Sequence, residues 1–304
     1  MRWLKLGLVF SPGKRYDWMK THAQLPTAYH LADDVFRVYF AARDGDNRSH
    51  VGYVELELRP EPVILGISRV PVLAPGPIGH FDEHGIYPAS LIKREDRLWM
   101  YTIGWNKGSV EPLFYASIGL AVSDDDGVTF EKVSPAPIMS RSRYDPWMVT
   151  SPCVIAHENS FIMWYVSGIR WDTQSDGTRH SFYDVKMAES CDGASWKRNG
   201  VVCIPLSAGE RNIGRPYVLK EHDLFKMWYS YNRGDGYRIG YAESVDGVIW
   251  QRRDKESGID VSDSGWDSEA LAYPCVFVHK DRRYMLYNGN QFGRDGFGMA
   301  VAEL

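Results

Sequence analysis

The chain has 304 residues, a formal net charge of −4 at pH 7 and a sequence pI near 6.1, a balance that gives no reason to expect nucleic acid as a partner. It shows neither a leader-like N-terminus nor an apolar run of the roughly 18 residues a membrane helix needs, so a membrane is not expected either. Hydrophobic content of 44% is ordinary, whereas 13% aromatic residues, with 11 Trp and 18 Tyr, is high and suits packed strands and sugar-stacking surfaces.

In chain order, Trp3 to Phe10 reads as a strand that precedes the first of five similar units. Each unit begins at a proline opening an apolar run: Pro26, Pro88, Pro152, Pro216 and Pro274, spaced 62, 64, 64 and 58 residues apart. A near-constant period of this length marks a repeat protein. After each proline come a short polar turn, an aromatic-rich strand, a longer loop and a third strand. In three units that strand runs into an Asp-Gly turn followed by an aromatic: Ser123 to Phe130, Ser190 to Trp196 and Ser244 to Trp250. The Asp-Gly pair predicts a tight hairpin and the aromatic a fourth strand.

The expected fold is therefore all-β, a single five-bladed β-propeller over 1–304 with four-stranded antiparallel blades at about 21–70, 83–138, 147–206, 211–256 and 269–304 plus 2–10. The last unit lacks a fourth strand of its own, and the N-terminal strand is expected to complete it. Cys153, Cys191, Cys203 and Cys275 lack CxxC spacing and read as reduced packing thiols, which predicts a cytoplasmic location.

Antiparallel neighbours alternate in direction, so the loop before each proline and the loop between second and third strands share one face. The pre-proline loops carry Asp17, Asp82, Glu83, Asp145, Glu210, Asp267 and Glu269, which would converge on the channel mouth. Glycoside cleavage needs one protonated carboxyl at the leaving oxygen and a second that activates water or attacks the sugar carbon. Glu83 and Glu269, each five residues before its proline, rank first as catalytic candidates, followed by Asp145 and Glu210.

The same face adds candidate substrate-binding residues: His22, Arg43, Asp44, Asp82, His84, Trp105, Asn106, Arg170, Trp171, Arg211, Asn232, Arg233 and Asn288. Loop tryptophans would stack on sugar rings, whereas the second-strand aromatics read as packing between blades. Arginine forks at positions 43, 170, 211, 215 and 233 suit carboxylate or phosphate, so the carbohydrate could be acidic or phosphorylated. No metal or cofactor is called for, because no tight ligand cluster is visible.

The Asp-Gly-x-x-Trp turns, the five proline-led strands and the acids upstream resemble the five-bladed propeller glycosidases, which include glycoside hydrolase family 43, the family 32 fructosidases and the family 130 mannoside phosphorylases. The resemblance implies a glycoside hydrolase-like enzyme working from the channel mouth. In family 43 the first three loops supply an Asp base, an Asp modulator and a Glu acid. Here the first offers Thr21 and His22 with Asp17 further out, the second Asp82 or Glu83, and the third Asp145 without a Glu. The trio does not carry over whole. Phosphorolysis or sugar transfer through the arginines, and carbohydrate binding without catalysis, are the alternatives.

Overall fold

A computed structural model describes residues 2–303. The chain opens with β1 (Leu4–Phe10), and blade 1 follows as β2 (Thr21–Ala32), β3 (Val35–Arg43), β4 (Ser49–Glu57) and β5 (Val63–Ile67). Blade 2 is β6 (Gly85–Arg94), β7 (Arg97–Lys107), β8 (Phe114–Ser123) and β9 (Glu131–Lys132). Blade 3 is β10 (Val149–His157), β11 (Ser160–Thr173), β12 (Arg179–Ser190) and β13 (Lys197–Ile204). Blade 4 is β14 (Asn212–Glu221), β15 (Leu224–Asn232), β16 (Tyr237–Ser244) and β17 (Gln251–Arg252). Blade 5 takes β18 (Ala272–His279), β19 (Arg282–Asn288) and β20 (Phe297–Glu303) from the C-terminal end and β1 from the other, as expected.

β1 runs antiparallel to β20, with Leu4 opposite Val301 and Leu8 opposite Gly298. Consecutive inner strands touch around the full circle, β2 to β6 to β10 to β14 to β18 and back to β2. Asn288 reinforces the join: its side chain accepts from the Leu25 N–H at 2.9 Å and donates to the carbonyls of Ala23 and Gly296 at 2.8 Å. Single parallel bridges, Ser49 to Gly85 and Tyr183 to Asn212, link blades 1 and 2 and blades 3 and 4.

The Asp-Gly turns hold blades to one another. Ser123, Ser190 and Ser244 accept the turn glycine N–H through Oγ at 2.8–2.9 Å, which fixes glycines 127, 193 and 247 at positive φ. The glycine carbonyls then face the preceding blade, where they accept from Tyr39 at 2.7 Å, Tyr101 at 2.9 Å and Trp164 at 2.8 Å. All three donors are fully buried, as packing between blades requires.

Proline shapes the inner strands. It has no N–H for the ladder, and each inner strand skips register around its proline. In four blades the residue before the proline sits in the left-handed region: Leu25, Ser151, Arg215 and Tyr273 at φ of 52°, 48°, 50° and 58°. Such strain persists only where the surroundings enforce it and gathers at functional sites. These bulges lie at the channel.

Candidate functional site

The acids of the pre-proline loops divide into two groups. Asp82 pairs with Lys132, Asp145 with Arg198 at 2.9 Å, Glu210 with Arg252 through two contacts of 2.8 Å, and Asp267 with Lys5 at 2.8 Å. The cations come from β9, β13, β17 and β1, the fourth strands of blades 2 to 5. The side chains of Asp82, Asp145 and Glu210 are 0% exposed and that of Asp267 is 4%. Burial pushes the Glu210 carboxyl up, but Arg252, the Ser207 N–H and Arg233 together hold it below the usual range. The four acids thus tie each loop to the outer edge of its own blade. In blade 1, Asp17 is fully exposed beside Lys20, while Trp18 is buried and donates to the Arg69 carbonyl.

Asp145 belongs to a larger cluster in blade 3, where it also accepts from Tyr165 and Ser142. Asp184, buried on β12 nearby, leaves Oδ1 without a hydrogen bond. Burial, and then the negative charge of Asp145, push its carboxyl up to about 6 against the pull of Lys186.

Glu83 and Glu269 are placed differently. Glu83 is partly exposed, accepts from the Gly79 N–H, and lies 3.1 Å from Nδ1 of His84 outside hydrogen-bonding geometry. Glu269 is exposed, and its backbone is gripped from both sides: Asn290 Oδ1 accepts its N–H at 2.7 Å, and Arg238 donates to its carbonyl at 3.0 Å. Among the described residues nothing hydrogen-bonds or ion-pairs with its carboxylate. It lines a cavity of about 290 Å³ with Asn232, Tyr237, Gln291 and Phe292.

Sequence reasoning missed the far wall of this cavity. Gln291, Phe292 and Gly293 form a left-handed turn, at φ of 51°, 58° and 79°. Phe292 remains 45% exposed while its ring lies 6.3 Å from Tyr273, nearly parallel, and 5.8 Å from Tyr237, edge-on. Tyr237 in turn shares a hydroxyl contact with Tyr183. The available signal was the residue directly before each proline, which includes Tyr87 and Tyr273.

The remaining candidates spread over this face. His22, at φ 62°, is pushed down to about 4 by burial and by the charges of Arg43 and Arg294. Arg43 donates to Gln24 and Asn47, and Arg211 to the His180 ring at 2.9 Å. Asp44 is engaged by Arg48 and His50, and Arg170 by Asp172. Trp105 donates to Ser49 with its ring 5.8 Å from His84, and Trp171 packs edge-on to Phe114. Asn106 donates to the His80 carbonyl, Asn232 accepts from the Gly234 N–H, Arg233 lies 3.6 Å from Glu210, and Asn288 spends both ends on the ring closure.

No family model matches the sequence. Over its full 304 residues it is 39% identical to the uncharacterized protein Rv1502 of Mycobacterium tuberculosis strain H37Rv, with all of both chains covered. The protein belongs to the Rv1502 family. A second relative, the uncharacterized protein MT1551 of strain CDC 1551, is 38% identical over the same span.

Solved structures share the fold of this protein. A glycoside hydrolase matches with a TM-score of 0.76 at 20% identity, over 99% of this protein and 91% of that one. A thermostable family-43 glycoside hydrolase matches at 0.68 and 17%, over 93% and 90%. The β-1,2-mannobiose phosphorylase from Listeria innocua, in complex with β-1,2-mannobiose, matches at 0.71 and 11%, over 99% and 96%. The fold is that of the propeller glycosidases and phosphorylases, as the sequence resemblance implied.

Proposed function

We propose that this propeller cleaves a glycosidic bond at the channel mouth, with Glu269 as the leading catalytic carboxyl and Glu83 as the second. The observation that carries this is the state of Glu269: it lines a cavity beside an exposed aromatic, its backbone is fixed, and its carboxylate is uncommitted. A carboxyl that faces a cavity and is engaged by no neighbouring side chain among the described residues can meet a glycosidic oxygen directly, as general acid or base work requires. Phe292, with Tyr237 and Tyr273 behind it, offers a ring face for a pyranose. Asp145 and Glu210, bound to arginines, act in this reading by holding loops.

A second reading, phosphorolysis or transfer from a sugar phosphate, is favoured by Arg211, which has a histidine and, among the described residues, no carboxylate as its partner. A release assay over aryl glycosides and oligosaccharides, including uronic acid types, with and without inorganic phosphate, separates the two. Phosphate-independent release supports hydrolysis, and release only with phosphate supports phosphorolysis. Sugar binding without release in either arm sinks both and leaves a carbohydrate-binding propeller.

A further inference from the structure

Arg215 is 1% exposed, and no carboxylate among the described residues lies within ion-pair distance of it. From the bulge of β14 it reaches across the channel, where Nη1 donates to the Ala89 carbonyl of blade 2 at 2.6 Å and Nη2 to Thr27 Oγ1 of blade 1 at 2.9 Å. Nε, also buried, has no partner. Its electrostatic neighbours are the Cys275 and Cys153 thiols and the phenols of Tyr217, whose ring lies 5.9 Å away, and Tyr273. Burial pulls the guanidinium below its usual range, yet arginine keeps its proton in proteins.

An uncompensated buried cation is a large destabilising term, and this chain avoids it elsewhere. Arg37 and Arg283, both buried, and Arg198 and Arg252, partly buried, meet Glu55, Glu221, Asp145 and Glu210 at 2.5–2.9 Å. Towards the mouth the pattern is mixed: Arg170 meets Asp172 and Arg233 lies 3.6 Å from Glu210, but three arginines have no carboxylate partner among the described residues. Arg43 is held by the side-chain oxygens of Gln24 and Asn47, Arg211 by the His180 ring and Arg294 by Gln291. These cations act on shared neighbours. Arg43 and Arg215 both oppose the upward push of burial on Tyr273, and Arg43 and Arg294 both bear on His22.

We infer that the missing counter-charge is supplied by the ligand: the carbohydrate taken at the channel mouth carries a carboxylate or phosphate group that seats against Arg215 and the arginines above it. The inference rests on the mouth being the carbohydrate site, and it names the substrate class as anionic sugars. Arg215 is then a specificity-determining residue. An internal acid at this position would repel the ligand, which accounts for the lack of a carboxylate partner among the described residues.

The test is thermal unfolding and calorimetric titration of the full-length protein with glucuronate, glucose 1-phosphate, inorganic phosphate and neutral glucose, at ionic strength matched with sodium chloride. Glucuronate or glucose 1-phosphate should raise the melting temperature in a saturable way and glucose should not. The stronger of the two identifies the anion, whereas a response to inorganic phosphate alone overturns the claim that the sugar carries it. Arg215→Met should melt no lower than wild type without ligand and bind the anionic sugar roughly ten- to a hundredfold more weakly.

If Arg215→Met does not fold, Arg211→Gln, on the partly exposed side, should show the same weakening. Equal binding of glucose and glucuronate, or an anion response unchanged in the variant that folds, overturns the inference. Failure of the catalytic assignments to Glu269 and Glu83 leaves it standing, since anion binding is read without turnover.

Discussion

Glu210 and Arg252 meet through two parallel hydrogen bonds of 2.8 Å, one from each terminal guanidinium nitrogen, at the outer edge of blade 4. Glu210 is buried and Arg252 partly buried, and Arg252 also reaches Asp254 at 2.7 Å. Truncating one partner strands the other without solvent. Arg252→Met should therefore cost on the order of 3–5 kcal/mol in urea unfolding, and the double variant Arg252→Met with Glu210→Leu much less than the sum. A single-variant loss below about 1 kcal/mol would remove the loop-holding role assigned to this acid.

Glu269→Gln should behave in the opposite way. Its side chain is exposed and unpaired, so stability should move by less than about 0.5 kcal/mol while turnover falls by roughly 10²–10⁴-fold. Glu83→Gln should show a comparable loss of turnover and a somewhat larger loss of stability, roughly 0.5–1 kcal/mol, because its carboxylate holds the Gly79 N–H. Melting curves and initial rates on the same preparations check both. Full activity in Glu269→Gln would end the catalytic assignment.

Asp184 makes stability depend on pH in a direction opposite to that of a salt-bridged acid. Its carboxyl, raised to about 6 in the fold, binds its proton more tightly folded than unfolded. The stabilisation is therefore complete below the unfolded value near 3.8 and is lost as pH rises through about 6. Asp184→Asn should be more stable than wild type at pH 7.5, by up to roughly 3 kcal/mol, and show little difference at pH 4. Urea unfolding at the two pH values decides it; a constant difference would mean that the group does not titrate in this window.

Phe292 holds a left-handed backbone that costs a side-chain-carrying residue about 1 kcal/mol. Phe292→Gly should relieve that cost and leave the melting temperature equal or higher, while sugar binding weakens by about tenfold through loss of the stacking face. Titration with the sugar identified by the release assay reads the second effect. Unchanged affinity would remove the ring from the site.

The architecture was legible because it is written in spacing. Five prolines at near-equal intervals and three Asp-Gly turns require only backbone chemistry to interpret, and the exchange of β1 into blade 5 follows from a missing fourth strand. The acids were harder. Their recurrence in successive loops suggested convergence on a ligand, yet Asp82, Asp145, Glu210 and Asp267 turn outward to Lys132, Arg198, Arg252 and Lys5.

A signal for this was present. Each of those cations stands two residues after an aromatic, namely Phe130, Trp196, Trp250 and Trp3, so acid and base repeat together. A feature that recurs from blade to blade serves the blade, whereas a ligand site is built from what breaks the repeat. Arg215 and Phe292 have no counterparts of their own kind at the matching positions, and Glu269 shares its position with Glu83 alone. The left-handed turn that presents Phe292 has no local sequence mark beyond Gly293, because its strain is sustained by the contacts with Tyr237 and Tyr273.

The pairing of β1 with β20 sets Leu4 beside Val301 and makes the covalent order of the blades a matter of convenience. A ring whose two ends already lie side by side can be opened elsewhere and rejoined there without changing any blade's neighbours. The exposed turn between β14 and β15 is one such place, where the sequence could start at His222 and still close. What the protein cannot lose is the seam itself: without β1, β20 presents an unpaired edge, and Asp267 loses Lys5. The seam is thus the one junction in the ring that the chain closes by pairing its first strand with its last.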